Sequence, residues 1–300
     1  MSSLDRRTFL LTIAAIPFSL SSSAKAAEEN QSVSAQANLA ILEKTSGGRL
    51  GIYAENTENG MHIGHRADER FPFCSTFKVI LAAAVLARST HIAGLMQQRI
   101  RYTQSDLAPY SPISEKHVSD GMVVAELCAA ALQYSDNTSA NLLIKLLGGP
   151  SAVTAYARSI GGNEFRLDRT ETELNTAIPG DIRDTSTPAA MARSLKSLVL
   201  GDALPPPQQR QLAEWMRGNT TGAKRIRAAL PADWKAGDKT GSGDYGTAND
   251  IAVLWPPSSK PVVLAIYHTQ RVVDAKWRDD VIASATKIVL AGFDSARATT

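Results

Sequence analysis

Apolar positions along this chain recur with two different periods, and the period changes twice. "GRLGIYAEN" and "GMHIGHRADERF" alternate apolar and polar residues on either side of Thr57-Glu58-Asn59-Gly60. Alternation at period two around a polar turn ending in glycine predicts a β-hairpin. From Ser75 to about Leu230 the spacing widens to three or four residues. That predicts helices over 75–89, 123–134, 137–147, 151–160, 187–198 and 206–217. After Leu230 strand-like runs return in "DWKAGDKTG", "GTANDIAVLWP" and "PVVLAIYHT". A final helix is expected over about 275–293, and another from about Gln36. Between Gly161 and Pro188 the chain is rich in charge, Thr and Gly without a period. A loop that long inside a compact domain is usually functional or disordered.

Strands at both ends with helices between predict an α/β (α+β) architecture. One antiparallel sheet would be built from the two chain ends and flanked by helices, beside a mainly helical lobe. The boundaries read from the pattern are 36–74 plus 231–300 for the sheet lobe and 75–230 for the helical lobe. A cleft between the lobes is the natural place for a site.

Composition narrows the classes. The 300 residues are 44% hydrophobic and 20% charged with a net charge of +3, as in an ordinary globular protein. No Lys/Arg block and no aromatic-basic alternation points to nucleic acid. Residues 1–26 read as an export signal: a basic start, an apolar stretch and Ala24-Lys25-Ala26 as an A-x-A cleavage end. Arg6 and Arg7, followed by Thr8, Phe9 and Leu10, give it twin-arginine character. The expectation is a mature catalytic domain over 27–300, cleaved near Ala26, periplasmic and monomeric. No later apolar run reaches the ~20 residues a spanning helix needs, so no membrane association is expected after cleavage. Cys74 and Cys128 are expected to be free thiols, Cys128 as a small apolar residue within "VVAELCAAALQY". No His/Cys/Asp cluster has zinc spacing, and neither metal nor cofactor is expected.

Three short motifs carry candidate chemistry. In "CSTFK", Ser75 and Lys78 stand three apart, so a hydroxyl and an amine share one helix face. A serine needs a base to become a nucleophile, and a desolvated lysine with a lowered pKa can be one. "YSDNTSANLL" places Ser135, Asp136 and Asn137 at a helix start, where Asp and Asn also serve as caps. "GDKTGSGDYG" places Lys239, Thr240 and Gly241 at a strand end before a glycine turn. Each is weak alone, because S-x-x-K commonly marks an N-cap serine and an exposed lysine. Their order along the chain is what gives them weight.

With S-x-x-K, S-D-N and K-T-G in this order the chain resembles the class A serine β-lactamases, a family for which this motif set is known. The resemblance covers essentially the whole mature chain through "RFPFCSTFK", "YSPISEKHV", "LQYSDNTSANLL", "RLDRTETELNTAIPGDIRDTSTPAAMA" and "DKTGSGDYGTANDIAVLWP". Within the class it looks most like the chromosomal penicillinases of the PenA type. "ETELN" decides against penicillin-binding proteins, which share the other motifs but lack it. In the family this stretch lies on the Ω-loop, here about 166–184. The resemblance implies hydrolysis of the β-lactam amide through an acyl-enzyme on Ser75, with resistance as the outcome. Either Lys78, or Glu171 through a water, would take the Ser75 proton. The backbone N–H groups of Ser75 and Ser242 would form the oxyanion hole. Ser135 would relay a proton to the leaving nitrogen, tuned by Lys78 and Lys239. Lys239, Thr240 and Ser242, with Gly241, would bind the substrate carboxylate, and Asn137 the side-chain amide. Tyr110 would form an aromatic wall, and Glu171 with Asn175 would drive deacylation.

The family pattern also implies an Arg169–Asp184 pair across the neck of the Ω-loop and a cis peptide after Glu171. Two departures stand out. Many members carry an arginine where this chain has Ala248, and Arg225 matches the position from which others supply the guanidinium. Carbapenem-hydrolysing relatives often bridge the cysteine before the nucleophile to one after K-T-G, but here that place is Gly243, which argues against such an activity. A D-Ala-D-Ala peptidase and a membrane-anchored β-lactam sensor are the competing readings. Glu171 and Asn175 oppose both, and the sensor would also need an anchor.

Overall fold

The computed structural model describes residues 20–297, with side chains over 33–294. Arg6, Arg7 and the apolar part of the leader lie outside the described residues. In chain order the first half comprises α1 (Leu20–Ser46), β1 (Arg49–Asn56), β2 (His62–His65), β3 (Phe71–Pro72), α2 (Lys78–Ser89), β4 (Arg99–Ile100), β5 (Met122–Val123), α3 (Val124–Gln133) and α4 (Asn137–Leu147). The second half comprises α5 (Pro150–Ser159), β6 (Thr185–Ser186), α6 (Pro188–Val199), α7 (Pro206–Arg217), β7 (Lys235–Gly243), β8 (Thr247–Trp255), β9 (Val262–Thr269) and α8 (Asp279–Arg297).

β1, β2, β7, β8 and β9 form one antiparallel sheet in the order β2-β1-β9-β8-β7. The chain ends therefore meet in its middle, where β1 pairs with β9 from Arg49–Thr269 to Asn56–Val262. The period-two rule divides β9 cleanly between two cores. Val262, Leu264 and Ile266 face a core shared with Leu39, Ile52, Ile282 and Val289 under α1 and α8. Val263, Ala265 and Tyr267 face a core shared with Phe71, Phe77, Leu81, Leu143 and Met191. A strand covered on both faces has no polar alternation to show, which is why β9 reads as a continuous apolar run.

The helical region packs around α2, whose residues Lys78 to Leu86 are all buried. α3, α4, α5 and α7 contact it, while α6 lies against β1, β8 and β9. Thus α6 covers the sheet although it falls within the span read as the helical lobe. Helix ends follow local chemistry. Asp136 caps α4 by accepting the Ser139 N–H at 2.8 Å, and Gly148 ends it at a φ of 106°. Thr187 caps α6, with Pro188 at its first position.

Among the boundaries that differ from the pattern, α1 starts at Leu20, well before the expected Gln36. The stretch before Lys78 is a 3-10 turn over Cys74–Phe77, tighter than an α-helix. The last helix starts at Asp279, four residues later than expected, because the segment before it is a loop against the β7–β8 turn. Among the described residues no helix is long and apolar enough to cross a membrane.

Cys74 and Cys128 are fully buried and unpaired, and burial pushes both thiols well above their ordinary pKa. The native protein should leave DTNB unreacted, and denaturation without reductant should release two thiols per chain. Two thiols reacting natively, or none after denaturation, would contradict this arrangement.

Candidate functional site

Ser75 sits in the turn that carries β3 into α2, after Cys74 in a left-handed conformation at φ 47°. That conformation is uncommon outside glycine and clusters at functional sites. Tyr110 and Ser135 share it at 60° and 59°. Gly241 of β7 packs against this turn so closely that a Cβ there would come within 2.7 Å of the Phe73 carbonyl. Only glycine lets the strand and the nucleophile turn approach this far.

The Ser75 hydroxyl donates to Glu171 Oε1 at 3.0 Å. The Lys78 ammonium meets the same oxygen at 2.9 Å, with both side chains fully buried. Lys78 Nζ also donates to the Ser135 carbonyl at 2.8 Å and to Asn137 Oδ1 at 2.6 Å, with a longer contact of 3.5 Å to Ser135 Oγ. The helix-face pairing of Ser75 with Lys78 is therefore realised through a carboxylate placed between them. The reason is electrostatic: a desolvated ammonium takes the nearest anion and the strongest acceptors before a neutral hydroxyl. Burial still pulls the Lys78 pKa below its ordinary value, against the Glu171 charge.

Glu171 reaches this position from a long irregular segment held at several points. Arg169 Nε donates to Asp184 Oδ2 at 2.5 Å across its neck. Asp184 is fully buried and also accepts the backbone N–H groups of Asp168 and Arg169 through Oδ1, at 2.7 and 3.0 Å. The Glu171 N–H donates to Asn141 Oδ1 at 2.8 Å, and Asn141 Nδ2 donates back to the Glu171 carbonyl at 2.7 Å. The Glu171–Thr172 peptide is cis. Asn175 Nδ2 donates to Glu171 Oε2 at 2.5 Å, while its Oδ1 is buried with no protein partner.

Across the cleft, Lys239 Nζ donates to Ser135 Oγ at 3.0 Å and to the Thr240 carbonyl at 2.8 Å. Burial, and then the Lys78 charge, lower its pKa to about 7. Arg225 is 5% exposed, not a surface arginine. It donates to the Gly241 and Asn249 carbonyls, to Ser242 Oγ and to Asp279 Oδ1, each at 2.7 Å. Asp238 and Asp250 lie buried beneath this group, and burial raises the pKa of both.

Nine expected residues, Ser75, Tyr110, Ser135, Asn137, Asn175, Arg225, Thr240, Gly241 and Ser242, line one cleft of about 520 Å³. Lys78, Glu171 and Lys239 lie beneath it, joined to the lining by the hydrogen bonds above. A larger cleft of about 810 Å³ under the tip of the Ω-loop contains none of the twelve. The sequence reading missed several participants. Asn141 stands one helical turn after Asn137, and that i,i+4 spacing was the available signal. Thr221, whose hydroxyl meets that of Thr240 at 2.5 Å, belongs to no motif. Asp279 reads only as an acidic residue at a helix start, and Trp277 has no sequence signal at all. Among the described residues no group of His, Cys, Asp or Glu could hold a metal ion.

The chain matches the model of the β-lactamase enzyme family over residues 34–293. It is 56% identical to the Escherichia coli β-lactamase Toho-1 over 288 residues, covering 96% of this chain and 98% of that protein. It is 57% identical over 255 residues to a carbapenem-hydrolyzing β-lactamase KPC of Klebsiella oxytoca, covering 85% and 87%. The crystal structure of a β-lactamase from Desulfarculus baarsii superposes with a TM-score of 0.86 at 55% identity, covering 87% of this chain and 98% of that one. A variant of the last common ancestor of Gram-negative class A β-lactamases superposes at 0.83 with 57% identity, covering 86% and 97%.

Two outcomes follow from the geometry. Lys239 is cationic below about pH 7 and neutral above it, so any attraction it exerts on an anion in the cleft weakens as pH rises. The kcat/KM profile should show an alkaline limb near that value, and Lys239→Arg, charged throughout, should remove the limb. An unchanged limb in the variant would assign it elsewhere. Asp184→Asn breaks a buried ion pair, a change that costs about 3–5 kcal/mol when one charge is left unpaired. It should lower the denaturation midpoint and slow turnover of every substrate, and parental kinetics throughout would deny the pair a functional role.

Proposed function

The chain belongs to the β-lactamase enzyme family as a class A serine β-lactamase, and from that premise we propose how its own residues divide the work. The enzyme hydrolyses β-lactam antibiotics and so confers resistance. The observation that carries the division is the Glu171 carboxylate, contacted at once by Ser75, Lys78 and Asn175.

In acylation, Ser75 Oγ bonds to the lactam carbonyl carbon and its proton leaves to a base. Glu171 Oε1 is already the acceptor of that proton's hydrogen bond. Lys78 is the second candidate, because burial biases its amine toward the neutral form. Developing charge on the carbonyl oxygen falls to the backbone N–H groups of Ser75 and Ser242. When the C–N bond breaks, the nitrogen takes the Ser135 proton, and Ser135 Oγ is reprotonated through Lys78 with the proton that left Ser75, which restores the Glu171 carboxylate, while Lys239 favours the transfer electrostatically. Lys239, Thr240, Ser242 and Arg225 hold the substrate carboxylate, Asn137 the side-chain amide, and Tyr110 a wall at the cleft mouth. In deacylation, water bonds to the ester carbonyl carbon, Glu171 takes its proton, and the departing Ser75 oxygen is reprotonated. The unpartnered Asn175 Oδ1 is an acceptor suited to orienting that water.

The same reading covers the rest of the chain. Residues 27–300 are read as the catalytic domain, acting as a monomer. Export to the periplasm by the twin-arginine route is supported by Arg6-Arg7 and the Ala24-Lys25-Ala26 cleavage pattern. Placement in the PenA-type branch rests on the resemblance of the quoted segments.

Acylation has two candidate bases and deacylation one, so Glu171→Ala should separate the steps. It should react with benzylpenicillin and then stall. Intact-mass spectrometry should show one penicilloyl adduct on Ser75, outlasting the parental adduct by orders of magnitude. Ser75→Ala should show none. Parental turnover by Glu171→Ala would overturn this division of roles.

A further inference from the structure

Trp277 is a large apolar residue that no step above uses. Its side chain lines the catalytic cleft although the residue is 56% exposed. Its orientation is set: the indole Nε1–H donates to the Gly243 carbonyl at 2.9 Å. The surrounding loop is tied to the β7–β8 turn by Tyr245 N–H to the Val273 carbonyl at 2.8 Å and by Gln270 N–H to the Tyr245 carbonyl at 2.7 Å. A tryptophan held this way offers a wide face to a ligand at little cost in side-chain entropy.

Its position decides which part of a substrate meets that face. Gly243 follows Ser242, and two residues beyond Trp277 stands Asp279, the partner of Arg225. Arg225 in turn donates to Ser242 Oγ. Trp277 therefore flanks the carboxylate end of the cleft, on the wall built by Arg225, Ser242 and Asp279.

We infer that Trp277 is a specificity-determining residue whose indole selects β-lactams carrying a flat aromatic substituent beside their carboxylate. The inference rests on the assignment of Arg225 and Ser242 to the carboxylate. In a cephem the ring atom next to the carboxylate-bearing carbon is C3, so a planar heteroaromatic group there extends toward the Trp277 wall. A penam carries two methyl groups at the corresponding place, and these present no flat face. Offset or edge-to-face aromatic pairs add enough beyond simple burial to change a rate ratio by about two- to tenfold.

The test compares two cephems with the same acylamino side chain, one with a methyl and one with a planar heteroaromatic group at C3. The readout is the ratio of their kcat/KM values in the parent, Trp277→Ala and Trp277→Phe. The ratio of heteroaromatic to methyl should fall about three- to tenfold in Trp277→Ala and less than twofold in Trp277→Phe, which keeps a ring but loses the hydrogen bond. An unchanged ratio in Trp277→Ala would overturn the inference. So would an equal fall in both variants, which would make the indole a pin for the β7–β8 turn. A parent that hydrolyses benzylpenicillin but neither cephem would overturn the inference, whereas one that hydrolyses none of the three would overturn the reading of the site beneath it.

Discussion

Everything in this molecule is arranged around one buried ion pair, Lys78 with Glu171. Taking an ammonium and a carboxylate out of water costs several kcal/mol for each ion, and the pair persists only if the remaining donors and acceptors are met. Here they are met from separate places in the chain. The Ser135 carbonyl and Asn137 Oδ1 complete the lysine, while the Ser75 hydroxyl and Asn175 Nδ2 complete the carboxylate. The start of α2, the loop before α4 and the Ω-loop must therefore meet at one point.

The same demand accounts for polar groups that touch no substrate. Asp136 is fully buried yet bonds the N–H groups of Ile113, Ser114 and Ser139 and the Ser114 hydroxyl, which locks the loop carrying Ser135 and Asn137. Asn141 grips the Glu171 backbone from both sides. The Asp244 N–H donates to the Asn175 carbonyl at 2.9 Å, tying the middle of the Ω-loop to the β7–β8 turn. Hydrogen bonds of this kind are worth about 0.5–1.5 kcal/mol each, and together they hold a segment that has no regular structure of its own.

The opposite wall solves a charge problem in reverse. Lys239 and Arg225 are bases buried at one wall of the cleft, and Lys78 lies close enough to Lys239 to lower its pKa. The charges of Asp238 and Asp250 oppose that lowering of the Lys239 pKa, although burial disfavours the ionised form of both. Arg227 and Asn219 hold Asp238, and the Ile226 N–H holds Asp250. Lys78 and Lys239 repel one another, and on the proposed assignment a substrate carboxylate would relieve that repulsion. Binding there is accordingly sensitive to the charge state of Lys239.

What the sequence determined by itself was local or ordered along the chain. The helices from α2 to α7, the hairpin, the C-terminal strands and the free cysteines were legible in spacing and composition, because periodicity reflects which face of an element is buried. The twelve residues that line or underlie the cleft could be named because three short motifs and "ETELN" occur in a fixed order resembling one family. Tertiary structure alone decided the rest. Spacing put Ser75 and Lys78 on one face, but a carboxylate from 96 residues away came between them. Thr221, Asp279 and Trp277 joined the cleft with no motif to mark them, and α6 went to the sheet because the Val263, Ala265 and Tyr267 face needed cover. Periodicity records what each element buries, whereas the partner of a buried charge is settled only when distant segments pack together.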